Sequence, residues 1–207
     1  MLKIKICGLR DPDNIQDILK LKPDYIGLIF YPQSRRFVGK KLDPLQVNSW
    51  KGVKKTGVFV NADLEQVQQI QADMHLDALQ LHGEESPEFC RQLRRPGLEL
   101  IKAFGVDDSI DWSGLTDYQD VVDYFLLDTR TAGYGGSGRS FSWDLLQDYP
   151  LDKPYFLSGG LSPENIAQAA AIEDPRLYGL DLNSGFEERP GFKDVSLLNN
   201  TLFEIRK

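Results

Sequence analysis

Cysteine and histidine are the scarcest reactive residues of this sequence, and their scarcity excludes several kinds of site. Only two of each occur among the 207 residues: Cys7, Cys90, His75 and His82. Two cysteines form no disulfide framework and fit a reducing compartment, so we expect a cytoplasmic protein. The histidines are seven positions apart and have no cysteine beside them, which is not a metal-ligand spacing. We therefore expect no metal ion.

Long apolar runs and an excess of positive charge are also missing. The longest apolar runs are a few residues, whereas a membrane-spanning helix needs about 20. Residues 2–7 alternate apolar with charged or small side chains, unlike a signal peptide. A formal net charge of -7 disfavours nucleic acid and anionic membranes as partners. We expect a small-molecule ligand, and any anionic group on it must be held by local arginines, backbone N–H groups or helix N-termini.

Short apolar runs alternate with helix signals along the whole chain. The predicted strands are eight runs at residues 3–7, 25–30, 56–60, 78–81, 100–104, 124–127, 155–157 and 178–182. Helix starts that pair a capping residue with proline occur at Asp11-Pro12, Asp43-Pro44, Ser86-Pro87 and Ser162-Pro163. A last helix is predicted from Asp194, with Leu198, Leu202 and Phe203 facing inward.

This repeat of strand and helix predicts an α/β fold, a single compact (βα)8 TIM barrel over residues 1–207. Residues 106–115 are polar and lack helical periodicity, so the fifth helix is predicted to be short or missing. An open doubly wound sheet is the alternative fold, but no break in composition divides the chain into halves. Functional residues of such a barrel lie where the strands end.

Two glycine-containing loops follow the last two predicted strands. They are Ser158-Gly159-Gly160 and Asn183-Ser184-Gly185. Glycine lets backbone N–H groups approach an oxyanion, and a helix N-terminus adds partial positive charge. A tight turn would explain either loop alone, but both together favour a phosphate site.

Five further side chains at or after predicted strand ends are candidates for catalysis or ligand binding. Asp128 and Asp181 could each act as a general acid or base, or cap a loop. Cys7 could be a base or nucleophile, or a small buried hydrophobe. Arg36 could bind a carboxylate through a bidentate pair of hydrogen bonds, or lie in solvent. His82 could donate to a ligand, or serve the structure.

The glycines before Ser140 raise a different possibility. From Gly133 the chain reads G-x-x-x-x-G-R-S, close to the nucleotide-binding pattern G-x-x-x-x-G-K-[ST]. Arg139 occupies the lysine position, however, and Gly133 does not directly follow the strand. A nucleotide-binding protein thus stays an alternative, but these two departures from the pattern count against it. Another alternative is a barrel of the same fold that only binds a phosphosugar, or a barrel enzyme of another kind, such as an epimerase or a synthase.

Motifs along nearly the whole chain resemble, in order, those of the phosphoribosylanthranilate isomerase family. They are residues 5–9 (KICGL), 34–38, 79–83, 101–104, 127–128, 135–138 with Phe141 and Trp143, 158–165, 181–187 and 190–194. The resemblance implies a cofactor-free barrel enzyme of tryptophan biosynthesis that performs an Amadori rearrangement. We expect a monomer or a homodimer. Ser158, Asn183, Arg35 and Arg139 depart from frequent family residues, but none of them replaces a catalytic group.

The same resemblance assigns roles to individual residues. It implies that Asp128 is the general acid, Cys7 the general base and Arg36 the partner of the anthranilate carboxylate. The residues implied in phosphate binding are Gly159, Gly160, Asn183, Ser184 and Gly185, and further substrate contacts are His82 and Asp181. Gly133–Gly138 becomes a candidate lid over the open-chain intermediate.

Overall fold

Eight parallel strands close into a barrel in this computed structural model, which describes residues 2–39, 41–130 and 140–206. Each strand pairs with the next along the chain, and β8 pairs with β1. The strands are β1 (Lys3–Cys7), β2 (Tyr25–Ile29), β3 (Lys54–Phe59), β4 (Ala78–Leu81), β5 (Glu99–Val106), β6 (Tyr124–Thr129), β7 (Tyr155–Leu157) and β8 (Leu177–Leu182). The predicted (βα)8 TIM barrel is confirmed.

The connections between strands are helical but unequal in length. The α-helices are α1 (Pro12–Lys20), α2 (Pro44–Ser49), α3 (Leu64–Met74), α4 (Pro87–Leu93), α5 (Ile166–Ala170) and α6 (Val195–Ile205). Asp11, Asp43 and Ser86 cap α1, α2 and α4 by accepting hydrogen bonds from first-turn N–H groups. After β5 and β6 the chain instead forms 3-10 segments, Trp112–Tyr118 and Trp143–Asp148. The prediction of a short or missing fifth helix is thus confirmed.

The predicted helix start at Ser162-Pro163 is wrong. The backbone N–H of Ser162 donates to Asn165 Oδ1 at 2.9 Å, so the chain completes a turn first. Helix α5 begins only at Ile166. The loop after β7 is therefore longer than the proline signal indicates.

The predicted inward face of α6 is right for two residues and wrong for the third. Leu198 and Leu202 are buried, whereas Phe203 is 67% exposed. Residues four apart share a face of an α-helix, but the next residue lies about 100° further round. Phe203 therefore points away from the barrel.

Strand side chains divide between the barrel interior and the layer beneath the helices. Tyr25, Leu126 and Phe156 pack inside the barrel, while Ile4 and Ile6 belong to the outer layer. Beyond β8, the strands β9 (Glu187–Arg189) and β10 (Phe192–Lys193) form an antiparallel hairpin that the sequence did not predict. Among the described helices, none has the length and apolar character to cross a membrane.

Candidate active site

A cavity opens at the carboxyl end of the barrel, where the loops after the strands converge. Nine of the ten predicted site residues line it: Cys7, Arg36, His82, Asp128, Gly159, Gly160, Asp181, Asn183 and Ser184. Gly185 packs behind the lining, because a Cβ there would lie 2.3 Å from the carbonyl oxygen of Leu161. Six of the eight strands or their following loops thus contribute predicted residues to one site.

Cys7 lies beside a buried ion pair. Lys5 on β1 is in register with Asp181 on β8, and Lys5 Nζ lies 2.9 Å from Asp181 Oδ1. Burial raises the pKa of the Cys7 thiol, and the charge of Lys5 opposes this rise. Burial also acts to lower the pKa of Lys5, but Asp181 and Cys7 outweigh it and the pKa is raised. Lys5 therefore remains an ammonium group next to the thiol.

Asp128 lines the same cavity and pairs with His82. His82 Nε2 lies 3.4 Å from Asp128 Oδ2. On the other side of the ring, His82 Nδ1 lies 2.8 Å from Gln80 Nε2. The imidazole therefore lies between Gln80 and Asp128, with one ring nitrogen facing each side chain.

The loop after β7 approaches Asp128 closely because residue 159 is glycine. Gly159 has φ +83°, and a Cβ there would lie 2.6 Å from Asp128 Oδ1 and 2.4 Å from the backbone nitrogen of Thr129. Among the hydrogen bonds between described residues, the backbone N–H groups of Gly159, Gly160 and Ser184 donate to no acceptor. Such unpaired N–H groups can bind an anion.

Arg36 is held by the hairpin rather than lying in solvent. Arg36 Nε donates to Glu187 Oε1 at 2.9 Å and Nη2 to Oε2 at 2.7 Å. Arg36 and Glu187 are only 14% and 4% exposed. Burial tends to raise the pKa of Glu187, but Arg36 and Lys193 hold it below its usual value. Since Nη1 takes no part in this ion pair, one edge of the guanidinium is fixed and the other is oriented.

Lys193 joins the hairpin to the loop after β8. Its Nζ donates to Glu187 Oε1 at 2.9 Å, to Asn183 Oδ1 at 2.8 Å and to the Asn183 carbonyl at 3.0 Å. Burial lowers the pKa of Lys193 to about 8. Because Lys193 Nζ donates to it, the side-chain oxygen of Asn183 is already occupied. One hydrogen-bond network thus joins the hairpin that holds Arg36 to the loop after β8.

The barrel mouth holds a thiol, a carboxylate, an oriented arginine and loops with unpaired N–H groups, which together suit a small phosphorylated, carboxylated substrate. The family model described as N-(5'phosphoribosyl)anthranilate (PRA) isomerase matches residues 4–203. The chain belongs to this family. An N-(5'-phosphoribosyl)anthranilate isomerase from Parabacteroides distasonis is 45% identical over 204 residues, which cover 98% of this chain and 92% of that protein. Membership assigns to the chain the isomerisation of phosphoribosylanthranilate in tryptophan biosynthesis.

Two solved structures of the family share the fold over the full length. Monomers generated from the dimeric enzyme of Thermotoga maritima match with a TM-score of 0.84 and 30% identity, covering 100% of this chain and 99% of that one. A family member in complex with reduced 1-(o-carboxyphenylamino)-1-deoxyribulose 5-phosphate matches with a TM-score of 0.84 and 31% identity, with the same coverage. The second structure binds a phosphosugar compound of the kind that the family's reaction forms.

Sequence reasoning alone misses four residues of this site: Lys5, Gln80, Glu187 and Lys193. A signal existed for two of them, because alternate residues of a strand share a face. Lys5 shares the inner face with Cys7, and Gln80 with His82. The other two, Glu187 and Lys193, lie in the family-like motifs 181–187 and 190–194, but no local pattern predicts the hairpin that places their side chains. The candidate lid, Gly133–Gly138, and Arg139 lie outside the described residues.

Proposed function

We propose that Asp128 and Cys7 are the general acid and the general base of the family's Amadori rearrangement. Their side chains line one cavity from β6 and β1. In the first step the Asp128 carboxyl group protonates the furanose ring oxygen, and the C1′–O bond breaks to give a Schiff base. In the second step the Cys7 thiolate removes the C2′ proton. The resulting enolamine tautomerises to the ketone.

The two groups must start in opposite protonation states for this sequence to run. Asp128 needs a proton to give, and Cys7 needs to have lost one. A thiol with a raised pKa yields a strong base once it is ionised, which suits removal of a proton from carbon. His82 and Asp181 are further contacts: His82 Nε2 lies 3.4 Å from Asp128 Oδ2, and Asp181 pairs with Lys5, which shares a strand face with Cys7.

The ends of the substrate are bound by different parts of the cavity. Arg36, fixed by Glu187, presents its remaining edge to the anthranilate carboxylate. The phosphate binds the loops after β7 and β8, whose residues are Gly159, Gly160, Asn183, Ser184 and Gly185. The unpaired N–H groups of these loops are the observation that supports this assignment. Asn183 contributes through its backbone, because Lys193 occupies its side-chain oxygen.

The activity is tested by generating phosphoribosylanthranilate in the assay and following the loss of its anthranilate fluorescence when the protein is added. We expect a loss that is proportional to protein concentration and needs no added metal or cofactor. A fluorescence trace that the protein does not accelerate would contradict the proposed function. Magnesium–ATP serves as a comparison ligand, and tight binding of it would favour the nucleotide alternative.

We further propose that the protein works in the cytoplasm as a monomer or homodimer, without nucleic acid as a partner. Its net charge of -7 supports the last point. Sedimentation velocity at several protein concentrations distinguishes the two assembly states.

A further inference from the structure

The ion pair between Lys5 and Asp181 occupies a place that apolar side chains usually fill. Residues facing the interior of such barrels are mostly bulky and apolar. Here Lys5 is fully buried and Asp181 is 4% exposed. Because both ions lose their hydration, a buried pair of this kind is weak evidence for stability. Packing alone therefore does not explain why charge is placed there.

The position of Lys5 suggests what the charge does. Lys5 and Cys7 are two residues apart on β1 and both face the barrel interior. The ammonium group lies 2.9 Å from Asp181 Oδ1, and Cys7 is the next side chain along the same face of β1. We propose that Lys5 is a positioning residue for the base, whose charge, maintained by Asp181, stabilises the Cys7 thiolate. The inference rests on the proposed role of Cys7 in proton abstraction.

Other charged groups also face Cys7, but none of them can replace Lys5. Those near the thiol are Asp181 from β8 and Lys193 from β10, and those elsewhere on the cavity wall are Asp128, His82 and Arg36. Asp181 and Asp128 carry the wrong sign to stabilise a thiolate. Lys193 has the right sign, but it belongs to the hairpin, where its Nζ bonds to Glu187 and Asn183. Lys5, in contrast, is on the same strand and the same face as Cys7.

A second buried lysine provides a matched control. Lys102 on β5 is 3% exposed and pairs with the buried Glu85, with Nζ 3.3 Å from Oε2. Its shortest bond, 2.7 Å, is to the carbonyl oxygen of Gly83. Lys102 thus has the burial and the carboxylate partner of Lys5, but it supports a loop and is not among the groups that act on Cys7. Lys102→Met and Lys5→Met should lower the stability of the fold by similar amounts, but only Lys5→Met should change the reactivity of the Cys7 thiol.

The test is the rate at which iodoacetamide alkylates Cys7 in the full-length protein across a pH series. Mass spectrometry of the digested protein reads Cys7 separately from Cys90. An opposite charge within ~4–6 Å shifts a pKa by about 1–3, so Lys5→Met should slow alkylation near neutral pH by at least about 10-fold. Lys102→Met should retain the wild-type rate. In turnover, Lys5→Met should lower kcat with little change in KM.

A second variant keeps the test decisive if Lys5→Met does not fold. Lys5→Met combined with Asp181→Asn leaves no unpaired charge in the interior. Alkylation should again be slower than in wild type, but by less, because Asp181 opposes Lys5 at the thiol. An unchanged profile in the folded Lys5 variant, or an equal slowing by Lys102→Met, overturns the inference. The role of Cys7 itself is judged separately, by the turnover of Cys7→Ala.

Discussion

The two ends of the barrel both carry networks of polar side chains, but they use them differently. At the amino end, Tyr25 Oη lies 2.9 Å from Glu99 Oε2 and 3.0 Å from Tyr178 Oη. Lys54 Nζ completes the group with a bond of 2.5 Å to Glu99 Oε1. At the carboxyl end the equivalent side chains surround a cavity, and the N–H groups of Gly159 and its neighbours have no described acceptor. The amino-end side chains pair with one another, whereas the loops at the carboxyl end leave N–H groups to which the proposed phosphate would bind.

This difference predicts how each end responds to substitution. Holding charged side chains partly buried around the cavity at the carboxyl end costs stability, because these groups lose hydration. A cavity at the amino end is lined in part by Lys54, Glu99 and Asp123, but none of the proposed site residues lines it. We therefore expect the bonds at the amino end to contribute to folding. Changes at the carboxyl end should therefore reduce turnover more than stability. Changes at the amino end should reduce stability and leave turnover intact.

The largest effect is expected for the proposed acid and base. Asp128→Asn and Cys7→Ala should each lower kcat by about 10²–10⁴-fold, since each removes one proton-transfer group. The fluorescence assay measures turnover, and thermal unfolding checks that the fold is retained. Asp123→Asn is a control on the same segment of chain, because Asp123 precedes β6 and accepts from the Leu100 N–H at the amino end. Cys90→Ala, in the buried face of α4, controls for thiol loss.

These controls sharpen the comparison between the ends. Asp123→Asn should destabilise the protein without lowering kcat. Near-normal turnover in Asp128→Asn or in Cys7→Ala would remove that residue from the mechanism. A loss of kcat in Asp123→Asn as large as that in Asp128→Asn would mean that the two ends are not functionally separate.

The next effect in size concerns the carboxylate end of the substrate. Arg36→Met should raise KM by roughly 10- to 100-fold with a smaller change in kcat, because a hydrogen bond to a charged group contributes about 1.5–3 kcal/mol. Arg35→Met is the matched control, because the side chain of Arg35 is next to Arg36 in sequence but is exposed and does not line the cavity. Equal KM values for the two variants would show that Arg36 does not bind the substrate.

The fold was predictable from sequence because its signal repeats. Parallel strands buried on both faces give continuous apolar runs, and eight such runs with capped helices between them leave little choice of architecture. The errors fall where a single signal competes with local hydrogen bonding, as at Pro163, where Asn165 closes a turn before the helix. Another error is at Phe203, which was predicted to be buried beside Leu202 but is exposed, because it lies one residue beyond the buried face of α6.

The candidate site was predictable only in part, for a different reason. Residues that end strands, such as Cys7 and Asp128, are placed by the barrel itself. Their partners depend on contacts between distant positions: Arg36 and Glu187 are 151 residues apart, and Lys5 and Asp181 are 176 apart. No local pattern encodes such pairs. The alternation of Lys5 with Cys7 does predict a shared face, although it does not identify the buried carboxylate on β8.

A smaller effect distinguishes two glycines with nearly the same backbone. Gly159 and Gly97 have φ +83° and +81°, so alanine strains each backbone by about 1–2 kcal/mol. A Cβ at residue 159 would also lie against Asp128 and Thr129, whereas a Cβ at residue 97 would meet nothing within 4 Å. Both variants should lose similar backbone stability, but only Gly159→Ala should also impair turnover and phosphate binding. Turnover and inhibition by inorganic phosphate, compared in the two variants, test this.

The smallest effect is expected at the amino end. Tyr25→Phe removes the hydroxyl that bonds to Glu99 and Tyr178 while keeping the ring packed against Phe156. Denaturant unfolding should show a loss of about 0.5–1.5 kcal/mol, the net contribution of a hydrogen bond, because Lys54 still pairs with Glu99. Turnover should equal that of wild type. Since Tyr25 faces the same interior as Lys5, a fall in kcat here would mean that the barrel interior transmits changes to Cys7, and that the two ends form one network.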